Sequence, residues 1–278
     1  MKITVLVDNN TRIDEYLLGE PAVSYYIEAE GKKILFDCGY SDVFIRNARK
    51  MGIDLLDIDA VVFSHGHNDH TWGISHLIQH YSGRKQQNDL KNRLEVIAHP
   101  LVMNRKIDLG EEIGINITAE KICESFDLQL QRSPFWISER LVFLGEIERT
   151  NSFENKIPIG RMITKNEETD DYVLDDSALV YKAKEGLVII TGCSHSGICN
   201  IVEYAKKVCS ETRILDILGG LHLLNPDREQ MKTTLDYIRK SGIRQIHACH
   251  CTDLQSKIQL SQVTEVKEVG VGLILEYE

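Results

Sequence analysis

The chain has 278 residues, 42% hydrophobic and 27% charged, enough apolar side chain for one large globular core. A formal charge of −10 at pH 7 argues against a protein that coats nucleic acid, and no apolar stretch is long enough to span a bilayer. Residues 1–8 read as a strand rather than a secretory leader, and seven cysteines without framework spacing read as reduced thiols of a cytoplasmic protein.

The first predicted elements are strands over 23–29 and 33–36, closed into a hairpin by Glu30-Gly31-Lys32. Residues 42–51 show helical spacing at Val43, Ile45 and Ala48, opened by Ser41 or Asp42 and stopped at Gly52. The apolar run 58–63 predicts a buried strand, and Ser64-His65-Gly66-His67-Asn68-Asp69-His70 follows it directly. A helix over 74–81 and a strand over 94–98, ended by His99-Pro100, come next. From about 101 to 171 the periodicities weaken, apart from a strand at 141–144, and this stretch reads as a lid or insertion over a site. Regularity returns with strands 177–182 and 187–191, joined about Lys184-Glu185-Gly186, then a helix over 198–209 and a strand over 214–218. A helix over 228–241 is bounded by Asp227 as N-cap and by Gly242, before strands at 243–248 and 271–276. No repeat, linker or low-complexity tract divides the chain, so 1–278 is read as one domain.

The histidine run carries the chemistry. Three of the ten histidines fall within residues 65–70 beside a carboxylate, and imidazole and carboxylate are the donors that borderline divalent metals prefer. One ion rarely draws four donors from one segment, so His-x-His-x-Asp-His points to two ions side by side. His195, His222 and His250 also follow predicted strands, which is what a site built along one sheet edge requires. Cys193, two residues before His195, could face the same side, whereas Cys249 and Cys251 read as structural thiols directed away from His250. His99 ends a strand and could reach substrate. Arg105, Arg149 and Arg161 read as surface residues able to meet a phosphate, and Ser196-Gly197 as an ordinary helix start with backbone N–H groups available to an anion.

The pattern resembles the metallo-β-lactamase superfamily, whose His-x-His-x-Asp-His signature is matched by His65, His67, Asp69 and His70. Ile34-Leu35-Phe36-Asp37-Cys38-Gly39 is similar to that family's strand-Asp-x-Gly element. Within the family the chain resembles the 7,8-dihydropterin-6-ylmethyl-4-(β-D-ribofuranosyl)aminobenzene 5′-phosphate synthase subfamily. That likeness rests on Val5-Leu6-Val7-Asp8-Asn9-Asn10-Thr11, Gly145-Glu146-Ile147-Glu148-Arg149, Gly192-Cys193-Ser194-His195, Gly219-Gly220-Leu221-His222-Leu223 and His250-Cys251-Thr252.

The resemblance implies an α/β (α+β) architecture, a four-layer αββα sandwich with a metal cleft along one edge. It assigns one ion to His65, His67 and His195 and the other to Asp69, His70 and His250. Where relatives carry an acidic bridging residue, His222 occupies the better place, and Asp216 is read as structural. Asp37 would stand behind a ligand imidazole and fix its tautomer. The cofactors implied are two divalent ions, zinc first, with iron or manganese also suited. Such ions lower the pKa of bound water from about 15.7 towards roughly 7, and Asp69 would orient the resulting hydroxide and pass its proton to the leaving group.

Two segments depart from the subfamily. Trp72 replaces a small residue in Thr71-Trp72-Gly73 and would fill volume beside the ions, and Glu20-Pro21-Ala22-Val23-Ser24 stands where a Glu-His-Gly-Leu-Ser run is common. Trp72 and His99 are therefore the expected pocket residues. The expected function is a dinuclear metal-dependent hydrolase acting on a small phosphorylated or ester-containing substrate through a metal-bound hydroxide. The alternative is the synthase, a transferase, and a third reading is an iron-loaded redox site. The expected partner is a small molecule, with no membrane, nucleic acid disfavoured and oligomeric state left open.

Overall fold

In the computed structural model, residues 1–85, 93–164 and 167–278 are described. The strand Lys2–Val7 shows how the layers arise: Val5 packs among residues of both large sheets, while Leu6 faces outward to helices. The same alternation runs through Lys32–Phe36 and Gly186–Thr191, where Ile34, Phe36, Val188 and Ile190 point inward and Leu35 and Ile189 outward. Strands covered on both faces read as continuous apolar runs, and each fully buried Leu, Ile or Val contributes roughly 1.5–3 kcal/mol.

Among the described residues, one seven-stranded sheet runs Ile274–Glu276, Lys2–Val7, Ser24–Ala29, Lys32–Phe36, Ala60–Val62, Glu95–Ala98, Asp127–Leu130. The other runs Glu265–Val266, Gln245–Cys249, Ile214–Gly220, Gly186–Thr191, Ala178–Ala183, Leu141–Phe143, Phe135–Trp136. Tyr25, Phe36, Phe143, Tyr181 and Leu218 meet between them. Phe44, Ala48, Ile74 and Leu77, from helices Val43–Lys50 and Ile74–Lys85, cover the outside of the first sheet. Ile201, Ala205, Met231, Ile238 and Leu260, from helices Ile198–Cys209, Arg228–Ser241 and Leu254–Leu260, cover the second. The result is the αββα order expected from the sequence. None of the described helices is long and apolar enough to cross a membrane.

Residues 101–171 are divided among three sheets. Asp127–Leu130 joins the first large sheet, and Phe135–Trp136 with Leu141–Phe143 the second. Arg105–Asp108, Glu111–Glu112, Arg161–Ile163 and Glu168–Asp170 form a separate four-stranded sheet. These strands are two to four residues long and largely exposed, which is why no apolar period marks them.

Parallel pairing places the site. Lys32–Phe36, Ala60–Val62 and Glu95–Ala98 run parallel, as do Gly186–Thr191, Ile214–Gly220 and Gln245–Cys249. Their C-terminal ends deliver Asp37, Ser64, Cys193, His222 and His250 to loops along one rim, the usual location of a site in sheets with parallel strands.

Candidate metal centre

Asp37 organises the first loop. It is fully buried with φ of 57°, a left-handed conformation that costs a non-glycine residue on the order of 1 kcal/mol. Its carboxylate accepts from the Ser64 N–H and hydroxyl, both at 2.7 Å, and lies 2.7 Å from His70 Nδ1. Ser64 Oγ is also 2.9 Å from His65 Nδ1. Gly66 separates the first two histidines because a Cβ there would stand 2.9 Å from the Val102 carbonyl oxygen and 3.0 Å from Lys106 Cε. His67 then opens the short helix Asn68–Thr71, which turns Asp69 and His70 inward, and the Thr71 hydroxyl donates to the His67 carbonyl at 2.8 Å.

Seven side chains fall into two groups whose donor atoms lie within 4.8 Å of one another: His65, His67 and His195, and Asp69, His70, Cys193 and His250. In the first, His65 Nε2 and His67 Nδ1 are 3.0 Å apart, and the His195 ring stands 4.7 and 4.8 Å from those of His65 and His67. His195 is 5% exposed, yet neither of its ring nitrogens has a hydrogen-bond partner, nor has His67 Nε2. His67 Nε2 and both ring nitrogens of His195 are buried without partners, which would be costly unless something else satisfies them, and a divalent cation held by one nitrogen from each of His65, His67 and His195 fits. Burial holds His65 and His195 well below the ordinary imidazole range, aided by neighbouring histidines, and takes His67 to about 4. All three therefore stand neutral, with lone pairs available, at neutral pH.

The second group sets the Asp69 carboxylate among two imidazoles and a thiol. His250 Nε2 lies 3.2 Å from Asp69 Oδ2, His70 Nε2 3.6 Å from Asp69 Oδ1 and 3.2 Å from Cys193 Sγ. Burial pushes the Asp69 carboxyl up, but His70, His250 and His67 outweigh it and hold it below the usual range. Burial likewise opposes the charged form of His70, yet Asp69 and Asp37 raise it to about 9. His250, with φ of 51°, is held from the end of the first strand: its N–H donates to Asp8 Oδ1 at 3.1 Å, and the Asn9 amide donates to its carbonyl at 3.1 Å.

His222 lies outside both groups. Its ring packs 4.4 Å from that of His195, on the side of the first group, and its N–H donates to Cys251 Sγ at 3.3 Å. Trp72 donates its indole N–H to the Gly114 carbonyl at 2.7 Å and stacks on Tyr40 at 4.8 Å, so it ties the histidine helix to residues after Glu111–Glu112. His99 caps the turn Pro100–Met103, accepting from the Leu101 N–H at 3.2 Å, and Nε2 meets Glu146 at 3.1 Å. Asp216 is occupied by Gln245, His247 and Tyr277, a structural setting as expected.

Other expectations change. Cys251 is not directed away from the site, because the positive φ of His250 breaks strand alternation and turns its thiol towards the Cys193 carbonyl, at 3.3 Å. Cys249, still in the strand, contacts the Tyr25 hydroxyl at 3.2 Å in the inter-sheet core. Arg149 is a partly buried clamp on the carbonyls of Tyr172 and Val173, at 2.9 and 2.8 Å, while Arg105 and Arg161 pair with Glu112 and with Glu168 and Asp170. The helix start after Ser196 already holds an anion, since the Glu154 carboxylate accepts from the N–H groups of Cys199 and Asn200 at 2.9 and 3.0 Å.

Sequence reasoning missed Lys106. It is buried 2.7 Å from Asp171 and 2.9 Å from Asp175, whose other oxygen accepts from the Gly66 N–H at 2.8 Å. Ser64, Asp8 and Asn9 were visible only as members of the motifs around them.

The metallo-beta-lactamase superfamily model matches residues 17–85. An uncharacterised protein of Methanocaldococcus jannaschii is 31% identical over 279 residues, covering 98% of this chain and 99% of that protein. The same organism's 7,8-dihydropterin-6-methyl-4-(beta-D-ribofuranosyl)-aminobenzene-5'-phosphate synthase is 27% identical over 272 residues, covering 92% of this chain and 89% of that one. Among solved structures, Tm1679, described as a metal-dependent hydrolase of the beta-lactamase superfamily, superposes with a TM-score of 0.83 at 28% identity, covering 100% of this chain and 99% of that one.

Proposed function

The chain belongs to the metallo-β-lactamase superfamily, and from that premise we propose that it is a dinuclear metal-dependent hydrolase acting on a small phosphorylated or ester-containing substrate. The observation that carries this reading is the set of unpartnered, buried nitrogens of His67 and His195 beside a second group that contains the Asp69 carboxylate. His65, His67 and His195 would hold one ion, and Asp69, His70 and His250 the other; zinc suits these donors, as do iron and manganese. Bound there, divalent ions would polarise a substrate oxygen and make a neighbouring water acidic enough to attack at neutral pH.

The chain's own residues supply the rest. Asp69, kept ionised, orients the attacking water and can carry its proton towards the leaving group. Asp37 accepts from the Nδ1 side of His70 and so directs the Nε2 lone pair into the site. In this reading His222, whose ring packs against that of His195, would face the substrate, and Trp72 and His99 would line its pocket. In this reading 1–278 works as one catalytic unit, with the four-stranded sheet of residues 105–170 as a wall or lid.

The test loads purified protein with zinc or manganese and offers bis(p-nitrophenyl) phosphate. Turnover is expected, and His65→Ala or Asp69→Ala should lose metal and activity while keeping the far-ultraviolet circular dichroism of the sheets. Full activity in either variant overturns the assignment. The synthase relative at 27% identity favours a second reading, a transferase joining a dihydropterin to a ribofuranosylaminobenzene phosphate. Pyrophosphate release in the presence of both substrates, without diester turnover, would support that reading instead.

A further inference from the structure

We propose that Asp175 is a positioning residue for the ion assigned to His65, His67 and His195, acting through the Gly66 N–H, and that Lys106 aims it from the four-stranded sheet. This rests on the two-ion reading above. Gly66 links His65 to His67, and its N–H donates to Asp175 Oδ2 at 2.8 Å. The other Asp175 oxygen lies 2.9 Å from Lys106 Nζ, which also meets Asp171 at 2.7 Å. Lys106 is fully buried in a sheet whose strands are otherwise half-buried or exposed. An apolar side chain would fill that space at no less stability, because a buried ion pair rarely outperforms packed hydrocarbon. What the ammonium supplies is direction: it holds one oxygen of Asp175 and leaves the other for Gly66.

The two histidines depend on this peptide unequally. His65 has its own support, since Nδ1 lies 2.9 Å from Ser64 Oγ and the Ser64 carbonyl accepts from the Ser177 N–H at 2.9 Å. Among the described residues the His67 ring bonds only to His65, Nδ1 to Nε2 at 3.0 Å, so its place follows from the backbone on either side. On one side is Gly66, held by Asp175. On the other is Asn68, whose N–H donates to the Ile113 carbonyl at 2.8 Å. The N–H groups of Ile113 and Gly114 in turn donate to the Lys106 carbonyl at 3.0 and 3.2 Å.

Lys106 therefore braces His67 twice, by its side chain through Asp175 and by its carbonyl through Ile113. The contact is close, since a Cβ on Gly66 would stand 3.0 Å from Lys106 Cε and 3.1 Å from Asp175 Oδ2. The second group hangs on other supports: His70 on Asp37, and His250 on Asp8. Loss of the Asp175 contact should accordingly fall on the first ion and spare the second.

Zinc calorimetry of the full chain tests this, with His195→Ala and His250→Ala identifying which binding step belongs to which ion. Asp175→Asn should weaken the first ion about 10–100-fold and leave the second unchanged, because an amide whose oxygen is drawn to Lys106 sets its own N–H against that of Gly66. Asp171→Asn removes a carboxylate from the same ammonium without touching Gly66, so it should lose stability yet keep both affinities. Cobalt(II) at the first position should show altered visible d–d bands in Asp175→Asn and parental bands in Asp171→Asn. Gly66→Ala disturbs the same contact with all three charged side chains in place, so it serves if Asp175→Asn fails to fold, and it should weaken the first ion alike. Equal weakening of both ions, parental affinity in Asp175→Asn or Gly66→Ala, or a matching first-ion loss in Asp171→Asn would overturn the positioning role. Wild-type protein that binds neither zinc nor cobalt would overturn the two-ion reading itself.

Discussion

A single buried carboxylate sets the hydrogen-bond polarity of the histidine loop. Asp37 accepts from two groups of Ser64 and faces His70 Nδ1. Asp37→Asn keeps the shape but can present an amide N–H to His70, driving the imidazole proton to Nε2 and removing the lone pair a metal needs. Calorimetric zinc titration should show the second site weakened about 10–100-fold. Asp176 offers a test with a pH signature. Burial raises its carboxyl from 3.8 to about 6, the Ser196 N–H and Arg149 only partly opposing, and one of its oxygens has no partner. Its folded-state pKa lies above its unfolded value, so as pH rises from about 4 to about 6 the unfolded chain loses its proton first and stability falls. Asp176→Asn should abolish that fall. Chemical denaturation should find it more stable than the parent by on the order of 2–3 kcal/mol above pH 6, with no gain below pH 4.

Elements differ in how clearly their sequences announce them. The helices Ile198–Cys209 and Arg228–Ser241 begin and end as the sequence predicts, because an apolar stripe and, in the second, an Asp227 cap and Gly242 stop are local signals. Helix Leu254–Leu260, capped by Asp253, was missed because it is only two turns long and buries little. The strand Arg105–Asp108 was illegible for another reason: its fully buried residue is Lys106, whose partners Asp171 and Asp175 lie 65 and 69 residues away. That triad joins the four-stranded sheet to the Gly66 N–H between two metal-ligand candidates. Lys106→Met should strand two buried carboxylates and cost about 3–5 kcal/mol, measured by urea unfolding. The histidine cluster was legible because its donors are contiguous. Cys251 was misjudged because strand alternation was carried past His250, where the backbone turns left-handed.

At the scale of the whole molecule, the candidate ligands come from both large sheets. His65, His67, Asp69 and His70 follow a strand of the first, while Cys193, His195 and His250 follow strands of the second. Ions bound there would cross-link two halves that meet through an apolar core and a few hydrogen bonds such as that from the His250 N–H to Asp8. Metal removal should therefore lower the unfolding temperature of the entire chain rather than loosen one loop. With ion at about 1,000 times its Kd, the stabilisation is roughly 4 kcal/mol per site, lost on chelation and regained on adding zinc. Differential scanning calorimetry should show one cooperative transition moving as a unit, and a small separate low-temperature transition in the chelated protein would contradict this coupling.

The chain has two tryptophans, and Trp72 lies two residues beyond His70, stacked on Tyr40 and bonded to the Gly114 carbonyl. Its indole is thus a built-in fluorophore wired to the metal loop and to the neighbouring wall. With Trp136 replaced by Phe, its emission would report ion arrival and wall movement in the same spectrum, without an attached dye.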